Sequence, residues 1–160
     1  MTPSERVRYL GLTLPAPLQA PPGLVLPFVP VKVVGRLVYM AGHVPQNPDG
    51  TIWDVRGKVG AGVSEEQGYN AAHMAGLSLL ASLERALGSF DHIEEWLSAF
   101  GMVNGASGFT SFPAVVNGSS DLIVKVFGPE AGTHTRSAIG VAGLPFDVPV
   151  EIEAVAIVRS

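Results

Sequence analysis

The sequence predicts an α+β domain, a mostly antiparallel sheet with two helices packed on one face. Three observations carry this. Apolar residues alternate with period two in several short runs, one stretch repeats at helical spacing while a second has helix start and stop signals, and the order is strands, helix, strand, helix, strands.

The elements follow in chain order. Ser4 to Leu10 reads as a short helix capped by Ser4, and Pro15, Pro17, Pro21 and Pro22 then enforce an extended connector. Residues 1–23 are thus expected to be an arm and 24–160 the domain. Leu24 to Val34 and Arg36 to Ala41 read as strands joined at Gly35, with Pro30 demoting the first to an edge or bulge. Asn47-Pro48-Asp49-Gly50 marks a turn, Thr51 to Val55 a brief return strand, and Arg56 to Gly62 a glycine-rich loop.

Ser64-Glu65-Glu66-Gln67 has the form of a capping box. Behind it Tyr69, Ala72, Gly76, Leu80, Leu83 and Leu87 form a helical stripe that Gly88 ends. The two first-turn acids suit the helix dipole and need no chemical role. After a loop through Ser89 to His92, Glu95 to Asn104 reads as a strand. Ser111-Phe112-Pro113 opens a second helix that Gly128-Pro129 ends, with Gly118-Ser119-Ser120 the expected point of a kink.

The last quarter holds the residues that look placed for chemistry. In the run Thr135 to Ala142, Arg136 shares a strand face with Ala138, Gly140 and Ala142. In Val150 to Val158, Val150, Ile152, Ala154, Ala156 and Val158 form an apolar face, with Glu151 and Glu153 on the other. Paired as a hairpin about Gly143 and Leu144, the runs would set Arg136 opposite Glu151 over a floor of small residues. Two readings fit that arrangement: a cross-strand ion pair without chemistry, or a guanidinium fork with room above it for a ligand carboxylate.

Composition limits the alternatives. One domain suits 160 residues, and 47% hydrophobic against 15% charged residues supply more apolar surface than a lone domain hides, which points to a subunit interface. A net charge of −4 without a basic cluster argues against nucleic acid and anionic membranes. No cysteine is present, so thiolate zinc sites and thiol nucleophiles drop out. No apolar run reaches membrane-spanning length and the first residues lack a signal peptide pattern, which leaves a cytoplasmic protein as the default. His43, His73, His92 and His134 have no metal-site spacing, so no metal is expected. His73 reads as a helix-surface or interface residue. His43, at a strand end, and His134, two residues before Arg136, are placed to approach a ligand. Without a G-x-G-x-x-G or Walker loop, no nucleotide or other cofactor is expected.

The stretch Thr135-Arg136-Ser137, followed by Val141-Ala142-x-Leu144-Pro145-x-Asp147-Val148-x-Val150-Glu151-Ile152-Glu153-Ala154, resembles the C-terminal signature of the Rid family, the reactive intermediate/imine deaminases also called YjgF or endoribonuclease L-PSP proteins. Gly35-x-Leu37-Val38-Tyr39-x-Ala41-Gly42-x-Val44-Pro45 resembles that family's second strand and turn, and Val116-Asn117 sits where its helix carries an asparagine. The resemblance runs from about Phe28 to the C-terminus. It implies a fold like the trimeric type of chorismate mutase, a homotrimer with a ligand site in each cleft between subunits, and hydrolytic deamination of enamines or imines. It also implies roles: Arg136 for the substrate carboxylate, Glu151 for the attacking water, Asn117 and Gly42 beside the substrate. Phe28, Ala41 and Ala138 stand where deaminating members carry tyrosine, serine and often cysteine. Those departures admit a second expectation, a trimeric small-carboxylate-binding protein without the chemistry.

Overall fold

The computed structural model describes residues 1–160. In chain order it contains α1 (Pro3–Tyr9), β1 (Val31–Val34), β2 (Leu37–His43), α2 (Glu65–Leu87), β3 (Ile93–Asn104), α3 (Phe112–Gly132), β4 (Thr135–Val141) and β5 (Val150–Val158). The five strands form one sheet in the order β1-β2-β5-β3-β4, and only β3 and β4 run parallel. This is the expected α+β class. α2 packs on α3 and over β2 and β5, while α3 covers β3 and β4.

Local chemistry explains the helices. Ser64 Oγ accepts from the Gln67 amide while the Gln67 side chain accepts from the Ser64 amide, so both orphan donors at the α2 start are satisfied. Gly88 closes the helix in the left-handed region (φ 76°). α1 starts one residue before the expected Ser4, because Thr2 supplies the cap in a box with Glu5. It packs on α3, with Val7 buried and the Arg6 guanidinium donating to the Val126 carbonyl.

Three expectations give way. Leu24 to Pro30 is not strand; β1 begins at Val31, after the proline that cannot donate to a ladder. α3 does not break at Gly118-Ser119-Ser120, because there it meets α2: a Cβ on Gly118 would overlap the Tyr69 carbonyl and lie 2.9 Å from the His73 amide nitrogen. The helical dihedrals break at Gly128 instead (φ 84°), before Pro129.

The third is the terminal hairpin. β4 and β5 do not pair, since β3 lies between them, parallel to β4 and antiparallel to β5. Arg136 pairs across with Ala99, which pairs with Ala154; Glu151 pairs with Met102, which pairs with Ile139. The alternation of β5 is as read: Val150, Ile152, Ala154 and Ala156 are buried beneath the helices. The opposite sheet face carries Tyr39, Phe100, Ile139 and Val155 with the two glutamates, and no helix covers it.

Candidate functional site

Register decides which side chains meet. Gly101, the partner of Ala138, has no room for a Cβ because Val116 of α3 fills the space; at Gly140 Phe112 does the same. The face shared by Arg136, Ala138 and Gly140 therefore looks toward α3, while Glu151 projects from the other face of the sheet. The small residues do not leave a vacancy for a ligand. They let α3 lie close on the sheet, and Ala138 is a partly buried contact of the core.

Arg136 nevertheless has a built environment at the β4 edge. Its Nη1 donates to Asn117 Oδ1 at 2.8 Å and to Ser120 Oγ at 3.0 Å, and its Nη2 donates to the Pro113 carbonyl at 3.3 Å. A guanidinium carries five N–H donors, so Nε and one Nη2 hydrogen remain for a ligand. His134 extends the network. Its Nδ1–H donates to the Gly132 carbonyl at 2.7 Å, which leaves Nε2 to accept from the Ser120 hydroxyl at 3.1 Å. His134 thus orients the hydroxyl that orients Arg136. Arg136, with Phe28, Lys32, Tyr39, Ala41 and Glu153, borders a cleft of about 710 Å³ over the open sheet face.

Glu151 sits elsewhere, against β2. A register shift between Met40 and His43 bulges the strand, and a Cβ at Gly42 would overlap Glu151 Oε1. Any side chain there would push the carboxylate aside. Burial, and then repulsion from Glu153, raise the Glu151 pKa and favour its protonated form. Glu151, Gly42 and Phe28 line a second cavity of about 620 Å³, together with His43 and Arg85. Phe28 borders both hollows.

Within one chain the structure therefore brings Arg136 to Asn117 and Glu151 to Gly42, but not the two pairs to each other. No three His, Asp or Glu side chains converge where a metal ion could be held. Ser120 and Arg85 escaped the sequence reading. Ser120 lies one turn from Asn117 on the same side of α3, a helical-spacing signal that was available; Arg85 reaches the cavity only through tertiary packing of α2. The signature residues before β5 have a structural part: Asp147 Oδ1 accepts from the buried Asn104 Nδ2 at 3.2 Å, which anchors the turn entering β5.

The family model described as "YjgF/chorismate mutase-like, putative endoribonuclease" matches residues 6–152. The chain belongs to the YjgF family. Protein TCP17 of Trypanosoma cruzi is 36% identical over 151 residues, 94% of this chain and 91% of that protein. The crystal structure of Atu1372 from Agrobacterium tumefaciens, a protein of unknown function, superposes with a TM-score of 0.85 at 33% identity, over 99% of this chain and 94% of that one. TdcF of E. coli with bound serine shares the fold, with a TM-score of 0.59 at 24% identity over 91% of this chain and 99% of its own. The Rid resemblance read from residues 135–154 and the YjgF-family fold therefore agree.

Proposed function

We propose that this YjgF-family chain hydrolyses reactive enamine or imine intermediates of amino acids, at a site completed by a neighbouring copy in a homotrimer. In the reaction, water oxygen bonds to the imine carbon, the carbon–nitrogen bond breaks, and the products are a 2-oxo acid and ammonia. Arg136 holds the substrate carboxylate with its free donors, and Asn117 and Ser120 fix the guanidinium. Glu151 orients the water and exchanges a proton with the departing nitrogen, a task suited to a carboxyl whose pKa is raised toward working pH. Phe28 and Gly42 border the substrate, and Ala138 supports the strand beneath Arg136.

The observation that carries this reading is the Glu151 carboxylate packed directly on Gly42 in the wall of a cavity. The separation of Arg136 from Glu151, and the helix-free apolar sheet face, favour a site shared between copies. TdcF, which shares the fold, holds serine in its crystal structure, and this supports a ligand derived from a small amino acid.

The test is ammonia release from an imine that an amino acid oxidase generates in situ. Arg136→Ala is expected to lower the rate on the order of 100-fold; equal rates for both proteins overturn the reading. One observation favours a second reading, a carboxylate-binding protein without turnover: Phe28 and Ala41 bring no hydroxyl to the cleft. That reading predicts Arg136-dependent thermal stabilisation by small oxo acids with no ammonia released.

A further inference from the structure

The cavity beside Glu151 has two kinds of wall. Leu18, Leu24 and Leu26 of the N-terminal segment, with Phe28 and Phe146, make it largely apolar, while Glu151, His43, Ser82 and Arg85 gather at its polar end. The wall is tied in place. Arg85 donates to the Pro15 carbonyl at 3.1 Å and to Ser82 Oγ at 3.1 Å, and Gln46 Nε2 donates to the Ala16 carbonyl at 3.2 Å.

His43 marks the cavity as a place for a ligand. It is 7% exposed. Its Nδ1–H donates to the Ala41 carbonyl at 2.6 Å, so Nε2 is an acceptor, and no protein group donates to it. Trp96 Nε1 is the one side-chain polar atom both sealed and unbonded; His43 Nε2 therefore keeps contact with the hollow. An acceptor open to the hollow is free to take a hydrogen bond from a ligand donor. A ligand with an N–H group beside an apolar side chain fits, with the side chain along the leucines and nitrogen at the His43 and Glu151 end.

We infer that this cavity is a side-chain subsite that selects 2-imino acids bearing branched or aromatic apolar side chains over those with a methyl or hydroxymethyl group. The inference takes the reacting group from the deamination proposed above, but selection is a property of the walls and is measured without turnover. A volume of about 620 Å³ far exceeds what a methyl group fills, and Leu24 and Leu26 stay 45% and 38% exposed until something covers them.

The test is calorimetric titration of the full chain with 4-methyl-2-oxopentanoate and with pyruvate, alongside ammonia release from the imines of leucine and alanine. We expect the branched oxo acid to bind at least roughly tenfold more tightly, since a single methylene in an apolar pocket discriminates by about that factor. The double variant Leu24→Ser, Leu26→Ser, in an exposed stretch, is expected to bring the ratio toward one. Equal affinities in the wild type overturn the subsite. Selective binding without ammonia release upholds the subsite and overturns the deaminase reading; ammonia release from both imines with equal binding does the reverse.

Discussion

Glu151 Oε1 occupies the space that any side chain at Gly42 would need. Gly42 is not among the glycines with positive φ, so alanine meets no backbone strain there. Gly42→Ala is therefore expected to fold, to displace the carboxylate, and to lower the proposed deaminase activity on the order of 100-fold. Steady-state kinetics with circular dichroism as the folding control checks this; unchanged kinetics would remove Glu151 from the site.

Asn117 and Ser120 hold Arg136 through the same Nη1. Asn117→Ala leaves the charge but frees the fork, so it is expected to raise KM roughly tenfold while kcat changes little. A fall in kcat at constant KM would assign Asn117 to the chemical step instead.

His43 gives a stability signature. Burial, opposed by its bond to the Ala41 carbonyl and aided by Arg85, lowers its pKa from 6.5 to about 4. The unfolded chain binds this proton first, so stability is full above about pH 6.5, falls as pH drops, and bottoms out below about 4. The gap is worth on the order of 3 kcal/mol. Glu151 acts oppositely: its raised pKa favours the fold at low pH, and that contribution is lost as pH rises through the folded value. Urea midpoints across pH 4 to 7 for wild type and His43→Leu separate the two; an equally steep decline in the variant would contradict the assignment to His43.

Gly118→Ala is expected to destabilise the chain by about 1–3 kcal/mol, because its Cβ would overlap the Tyr69 carbonyl and force α3 from α2. A denaturation midpoint equal to that of wild type would show that the helices part freely.

What was legible in the chain was local. The Ser64–Gln67 box, the Gly88 stop and the β5 alternation follow from residues within a turn or a strand of one another, so each was read correctly. Strand neighbours are not local. Nothing between Thr133 and Val158 records that β3, some forty residues earlier, enters between β4 and β5. The hairpin was therefore the economical reading and the wrong one, and with it went the side-by-side placement of Arg136 and Glu151. The same blindness hid the arm's part in the second cavity, since Pro17 and Leu18 reach Glu151 only through tertiary folding. Gly118 is the converse case: an intrinsic helix weakener kept helical by the close approach it permits.

The most direct measurement is complementation between subunits. Arg136→Ala and Glu151→Gln, each expected to be strongly impaired alone, are unfolded together, refolded as a mixture and assayed for ammonia release. If one copy's Arg136 and its neighbour's Glu151 form each site, mixed oligomers regain activity that neither variant shows when refolded separately. No recovery at any mixing ratio would contradict a shared site.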